Sequence, residues 1–542
     1  MFQQLLSQRR FYQLLFVLGG LAIFAGCWLS LWDQDESAYA GFAWQMITSG
    51  NWLVPEFPWS EIHRKTPLYF WSIALSNLVF GYGEWAVRLP AMASIMATAY
   101  WLSWQGKRLF GQATARVAAL ILLANIFLPH LAKIAVTDAQ LLFFETMAVL
   151  ALLNFFNEGK AADRWWFVLG VAGALLVKGP PVLILTIGIL GLLLLFHPDK
   201  KRWIQFHPWF LFPLAALPLL LWGRLAWQTD DGVFVRWMID WYTFSRVGGE
   251  VLGQTGPPGY YVMTLLLAFL PWTWLFPKAF GQLFRPFIKK ESQFADKALL
   301  FWLISGWLIY EFMRSKLPAY AIGAYPALSL LLAKSALTIV AGDFRKQWLL
   351  KMGLGLYALL VLALAIAVPI AVKPLVNNQA FVWAIVLAIA LIISLLWISL
   401  QAWNSRYNRM ISAVFLQCFG FLLVVWLLIM PGLEPLRGAT KQLAQIAANN
   451  LNTDYQVYFT RNFQLPTLPY YFGKYGFVYA DVYAAEDWKK LLQPGEKSLL
   501  VFNQEDWQQF IDLGIPHRVL HQQKGWISDR GLLVDWYLVV AE

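Results

Sequence analysis

Apolar runs of roughly 20 residues, the length a helix needs to cross a bilayer, recur along most of the chain between short polar breaks. Taken in order they predict spans near 11–31, 87–105, 113–130, 139–156, 165–177, 181–196, 208–226, 260–277, 298–312, 319–338, 352–372, 380–402 and 410–430, about 13 membrane helices in all. Two longer polar stretches, 32–86 and 227–259, interrupt the series. Within the first, Leu68 to Phe80 is apolar but short, and it is expected to lie in or near the membrane interface. After Met430-Pro431 the pattern changes. Strand-like runs (Tyr455–Thr460, Ser498–Phe502, Trp536–Val540) alternate with helix-like ones (Ala439–Asn449, Glu505–Leu513). The expected fold class is an all-α polytopic membrane protein with a small C-terminal α/β domain, divided into residues 1–433 and 434–542.

Charge then orients the helices. Arg9 and Arg10 precede the first apolar run and place the N-terminus in the cytoplasm. No small-residue cleavage site follows, so a retained first span is expected. Lys107/Arg108/Arg116, Lys160/Arg164, Lys200/Lys201/Arg202, Arg285/Lys289/Lys290, Arg345/Lys346 and Arg406/Arg409 all fall on the N-terminal side of this layout. The loops 32–86 and 227–259 fall on the other side, and an odd number of spans takes the C-terminal domain there too. The net charge of +11 therefore sits mostly in short loops, and no nucleic-acid partner is expected. With 59% hydrophobic and 13% charged residues the chain lies far from the roughly 25% charged content of a soluble domain. Cys27 and Cys418 both lie inside apolar runs, which argues against a disulfide or a cysteine metal site.

Candidate chemistry collects at the outer ends of the spans. Asp33, Asp35 and Glu36 sit where the first run stops, and Arg64 and Lys65 close the same stretch, with Tyr39, Phe42, Trp44, Trp52, Phe57 and Trp59 between them. An interfacial loop with solvated charges and Trp anchors has the same composition. Asp138, Lys178, Arg314 and Lys316 add charges near span ends, where each costs free energy unless it reaches water or serves a site. Their convergence on one face favours a shared anionic ligand. Several bases with a few acids suit a phosphate, with one acid left for proton transfer or for holding a cationic sugar. The C-terminal stretch has no Cys/His cluster, Gly-rich phosphate loop or nucleophile elbow, so a packing or gating role is expected for it.

In order, these motifs resemble the GT-C membrane glycosyltransferases that use polyprenyl-phosphate sugars. Within that group they are most similar to bacterial lipid A 4-amino-4-deoxy-L-arabinose transferases (ArnT-like) and the related protein O-mannosyltransferases. The resemblance is carried by DESAYAGFAWQMITSGNWLVPEF (Asp35 to Phe57), RKTPLYFW (Arg64 to Trp71), EWAVRLP (Glu84 to Pro90), AVTDAQLLFF (Ala135 to Phe144), LVKGP (Leu176 to Pro180), GPPGYYV and FLPW (Gly256 to Trp272) and SKLPAYAIGAYPAL (Ser315 to Leu328). It covers residues 10 to about 335; beyond them it rests on layout. The chain departs from the family pattern at three places. Ala38 stands where an Arg is usual, Arg64-Lys65-Thr66-Pro67 replaces Glu-Lys-Pro-Pro, and Gly253-Gln254 replaces Gly-His.

What the resemblance implies is specific. Asp35 would be the catalytic carboxylate and Lys65 the principal cation on the donor phosphate, with Arg64, Lys178, Lys316 and Arg314 supporting it. Glu36, Tyr39, Asp138, Gln254 and Tyr320 would meet sugar or acceptor. The donor would be an undecaprenyl-phosphate sugar with its tail between helices, and the reaction an inverting displacement. The first reading of the acceptor is lipid A, with an amino sugar such as aminoarabinose transferred. The second is a protein Ser/Thr hydroxyl or another envelope glycan. A lipid or solute transporter ranks low, because no internal repeat is present and the unexplained charges cluster at one face, and a purely structural envelope protein ranks lower still. No cofactor beyond the donor is required if the lysines neutralise the phosphate, although the acids leave room for a divalent metal. The expected setting is a multi-pass protein of the bacterial inner membrane, acting as a monomer among membrane lipids, with its site and C-terminal domain in the periplasm.

Overall fold

The computed structural model describes residues 9–241, 255–342, 347–460, 464–482, 488, 497–527 and 531–541. Six of the described helices are long and apolar enough to cross a membrane, or seven if the bent pair Tyr260–Ala268 and Trp272–Ile288 counts as one. Shorter apolar helices accompany them at Tyr12–Phe24, Leu68–Phe80, Gln112–Leu123 and Pro181–Phe196. Several expected spans are thus broken, each for a local reason. The pair around Leu270-Pro271 turns by 119°, because proline removes a backbone donor and clashes with the preceding turn. Ala161–Lys178 and Pro181–Phe196 are separate helices, as the expected spans 165–177 and 181–196 anticipate, and divide at Gly179, whose φ of 80° an L side chain rarely adopts.

The first span ends earlier than its hydrophobicity suggests. Its helix closes at Phe24, and residues 25–31 continue irregularly, buried except at Trp28. Gly26 takes φ 75°, and a Cβ there would lie 2.8 Å from the Trp426 carbonyl. Irregular backbone at such a place needs its carbonyls satisfied. Arg88 does this, donating from Nη1 to the carbonyls of Cys27 (2.8 Å) and Leu29 (2.5 Å) and from Nη2 to that of Ser30 (2.8 Å).

Burial separates inner from outer helices. Of the spanning windows, Thr137–Glu158 is 83% buried and Pro318–Val340 89%, against 17% for Trp348–Val372 and 28% for Asn378–Trp403. The first two therefore form the centre, and the last two present Leu, Ile and Val outward, as a lipid-facing helix should.

The C-terminal residues form a five-stranded sheet: β1 (Gln456–Thr460), β2 (Val478–Val482), β3 (Ser498–Asn503), β4 (His517–Ile527) and β5 (Leu532–Ala541), in the order β2-β1-β3-β5-β4. β1 runs parallel to β2 and β3, and β5 is antiparallel to β3 and β4. Side chains alternate across it with period two. Val457, Phe459, Leu499, Val501, Leu538 and Val540 face one side. Tyr458, Leu500, Phe502 and Val539 face the other and are covered by Phe510 and Trp507 of the helix Gln504–Ile511. The first face shares one core with Leu443 and Phe472 of helices Ala439–Asn450 and Thr467–Lys474 and with Tyr39, Phe42, Phe70 and Ile73 of the stretch 32–86. The sheet thus rests directly on the segment that carries the first acidic cluster.

Candidate functional site

Helix Asp35–Ser49 opens with two acids and sends them opposite ways, since neighbours on a helix lie about 100° apart. Glu36 turns inward and is fully buried. It accepts Arg88 Nε and Nη2 at 2.7 Å each, the Trp32 amide at 2.8 Å and the Ala135 amide at 2.9 Å. Glu36 was expected at the sugar. It is instead the centre of a closed knot joining the end of the first helix, the start of Glu84–Phe110 and the segment before Thr137–Glu158.

Asp35 turns outward with a side chain 64% exposed, and its Oδ1 lies 2.9 Å from His63 Nδ1. Enclosure by the surrounding protein favours the neutral acid. The His63 hydrogen bond and the positive charges of His63, Lys65 and Lys178 more than offset it and hold the Asp35 carboxyl below its usual range. Tyr39, one turn along the same face, is also displaced from the expected sugar contact. It is 3% exposed, and its ring packs on His63, Tyr69 and Phe70.

A cavity of about 480 Å³, within the range of ligand pockets, has in its wall the two lysines, Lys65 and Lys178, whose charges act on this acid. Lys65, Asp138, Glu145, Lys178, Arg314, Tyr310 and Tyr320 supply its polar lining, and Leu141, Pro180, Pro181, Ile184, Phe312, Ala319 and Ile322 much of its apolar lining. Four helix ends make the wall. Asp138 enters at the start of Thr137–Glu158 and Lys178 at the last residue of Ala161–Lys178, while Pro181 starts the next helix and the 3-10 turn Pro318–Ala324 carries Tyr320. Lys178 Nζ donates to Asp138 Oδ1 at 2.6 Å and lies 5.8 Å from the Tyr320 ring. Glu145 stands seven residues below Asp138, two turns along the same face, and is 3% exposed. A Cβ on Gly323 would come within 2.9 Å of its Oε2, so this glycine leaves the acid its room.

Five of the expected site residues therefore line one cavity, Lys65, Lys178, Asp138, Arg314 and Tyr320, and Asp35 sits within electrostatic reach of its lysines. Two expected phosphate ligands lie outside the lining. Arg64 pairs with Glu56 at 3.1 Å and stands 5.4 and 5.5 Å from the Phe234 and Trp237 rings. Lys316 donates to the Glu311 carbonyl at 2.6 Å, with the Glu311 carboxylate 3.6 Å away. Gln254 lies outside the described residues. Among the described residues no group of three or more His, Cys, Asp or Glu has metal-holding geometry. His63, Glu145 and Arg88 were missed in the sequence. The first hid beside two stronger cations. Glu145, an acid in the middle of an apolar run, carried a signal that was overlooked.

Comparison with known proteins gives this architecture a place. Residues 64–224 match the family described as dolichyl-phosphate-mannose-protein mannosyltransferase. An undecaprenyl phosphate-alpha-4-amino-4-deoxy-L-arabinose arabinosyl transferase of Enterobacter sp. (strain 638) is 27% identical over 321 residues, 58% of this chain and 56% of that protein. One of Pseudomonas aeruginosa (strain UCBPP-PA14) is 28% identical over 377 residues, 66% of each. The chain thus spans a little over half the length of the first of these relatives in sequence. In structure, ArnT from Cupriavidus metallidurans bound to undecaprenyl phosphate matches with a TM-score of 0.75 over 97% of this chain and 98% of its own, at 19% identity. The Archaeoglobus fulgidus oligosaccharyltransferase matches at 0.53 and 12% identity, over 92% and 70%. This is the GT-C fold, and the chain shares the fold of ArnT over its helices and its C-terminal sheet alike.

Proposed function

We propose that the chain is a glycosyltransferase that moves a sugar, an amino sugar such as aminoarabinose in the first instance, from an undecaprenyl-phosphate donor to lipid A. The observation that carries this reading is the cavity, where Lys65, Lys178 and Arg314 meet an apolar wall beside Asp35. Cations next to a greasy groove suit a phosphate on a prenyl tail. The relatives' names supply the donor and sugar class.

In the step proposed, an acceptor oxygen attacks the anomeric carbon and inverts it. The bond from that carbon to the phosphate oxygen breaks, and its electron pair leaves with undecaprenyl phosphate. Negative charge then grows on the phosphate, where Lys65, Lys178 and Arg314 stabilise it without reorganising. As the donor binds, before the bond breaks, Lys178 exchanges its bond to Asp138 for one to phosphate, which frees Asp138 for sugar hydroxyls or an amine. A hydroxyl acceptor passes its proton to Asp35. A phosphate acceptor, with a second pKa near about 6, arrives largely ionised, and Asp35 then orients it or pairs with the sugar's amine.

The wider arrangement proposed is a monomer of the inner membrane with about 13 spans, a cytoplasmic N-terminus, and the site and residues 434–542 in the periplasm. The alternating basic loops support the orientation. Mass spectrometry of lipid A from cells with wild-type protein, with Asp35→Asn and with no protein tests the reaction. A sugar-sized mass present only with wild type is expected; identical profiles under inducing conditions remove lipid A as acceptor. The match of residues 64–224 to a protein mannosyltransferase family favours a protein hydroxyl as the second acceptor, and glycoprotein profiling of the same three strains checks it.

A further inference from the structure

The proposed carboxylate, Asp35, is mostly exposed, and a side chain with two free torsions at a surface has no fixed aim unless a neighbour holds it. His63 is that neighbour. It closes the short turn Glu61–His63, its amide donates to the Ser60 carbonyl at 2.9 Å, and it is 6% exposed. The edge of its ring meets Tyr39 at 5.9 Å and 84°. Asp35 and Tyr39 lie four residues apart on one helix and so share a face. The imidazole is wedged against both, Tyr39 fixing the ring plane and Asp35 receiving its nitrogen. Nδ1 lies 2.9 Å from Asp35 Oδ1, whereas Nε2 is buried without a hydrogen-bond partner among the described residues. An orphaned Nε2 leaves the ring one polar interaction, so Nδ1–H is the proton that matters, and a carboxylate can only accept it.

We infer that His63 is the positioning residue of Asp35: through Nδ1–H it pins one carboxylate oxygen and leaves the other for the acceptor or the sugar. The inference rests on the catalytic reading of Asp35. It also assigns Tyr39 a part, as the wall that fixes the imidazole. His63 does not touch substrate in this scheme, since Nε2 is closed off, so it moves no proton in the transfer.

Two variants separate positioning from packing. His63→Phe keeps a ring against Tyr39 and removes the N–H, and His63→Asn removes the ring but returns an N–H donor near the Nδ1 position. Transfer is followed with the full-length protein in nanodiscs, using an undecaprenyl-phosphate aminoarabinose donor and lipid A, beside wild type and Asp35→Asn. His63→Phe should lower kcat roughly 10- to 100-fold, the usual effect of losing a group that orients another, and leave the donor KM within about two-fold, because the phosphate-binding lysines are untouched. His63→Asn should recover most of the loss. The ¹⁵N NMR signal of His63 Nδ1 should report a hydrogen-bonded N–H in wild type and lose it in Asp35→Ala. A His63→Phe protein with wild-type kcat, a His63→Asn protein as slow as His63→Phe, or an Nδ1 signal indifferent to Asp35→Ala would overturn the inference while Asp35→Asn stays inactive. An inactive wild type or an active Asp35→Asn would overturn the functional reading, and the inference with it.

Discussion

Replacing Glu36 by Gln changes one atom and separates a structural role from a sugar-binding one. Four N–H groups point at this fully buried carboxylate, two from Arg88 and one each from the Trp32 and Ala135 backbone. A glutamine amide would set an NH₂ against some of these donors, with no acceptor offered in return. It would also leave the Arg88 guanidinium, itself fully buried, without its counter-charge. Breaking a buried pair from one side costs about 3–5 kcal/mol. The loss should appear as a poor yield and a midpoint lower by about 3–4 °C when monodisperse protein is followed after heating. Arg88→Met should behave alike and also strand the carbonyls of Cys27, Leu29 and Ser30. The two losses should not add, and the cycle closed by the double variant should show a coupling of roughly 1–3 kcal/mol. Glu36→Gln with a wild-type midpoint and a raised KM for the donor would refute the reasoning and return Glu36 to the sugar.

Lys178→Met should reduce transfer roughly 10²- to 10³-fold, read as initial rate, with folding intact because Asp138 opens to the cavity and can be hydrated. The Asp35 carboxyl is depressed, so its contribution to stability is in place above about pH 4, the unfolded range, and is lost as pH falls through its lower folded value. Activity should therefore show no Asp35 limb between about pH 5 and 8, and Lys65→Met should raise the acid limb of kcat/KM. Glu84 pairs with Lys441 at 2.7 Å and accepts from Tyr471 Oη at 3.3 Å. Burial pushes its carboxyl up, and Lys474 and Lys441 more than offset that and hold it below its usual range. Its share in docking the sheet is thus full above about pH 4.3 and fades as pH falls through the folded value. Glu84→Gln should weaken that docking by about 1–3 kcal/mol, seen at neutral pH as faster proteolysis of residues 438–541.

How far the site could be read in the sequence follows from how each residue's environment is made. Lys65, Asp138, Lys178 and Arg314 were legible because charge near the end of an apolar run costs free energy unless it reaches water or serves a site, Tyr320 came only with the family resemblance, and the cavity gathers all five. The short C-terminal runs rich in aromatic and aliphatic residues, Tyr455–Thr460, Ser498–Phe502 and Trp536–Val540, likewise foretold strands. Glu36 was misread, although the helix it opens already held the correction. Two adjacent acids on a helix point about 100° apart, and one that turns into the interior needs a cation. That cation, Arg88, lies 52 residues away at the start of the predicted span 87–105. Pairing across such a gap depends on how helices pack, which no local pattern records. His63 is the subtler case. Nothing in Ile-His-Arg-Lys marks the histidine above its neighbours, and Arg64, the more conspicuous cation, turns away to Glu56. The break in the first span escaped for the same reason. The irregular passage after Phe24 is as apolar as the helix before it, and only the carbonyls that Arg88 satisfies show why the chain can leave helical form there. Where one residue's state is set by its own polarity, sequence suffices; where it is set by a partner from another element, the fold must bring that partner first.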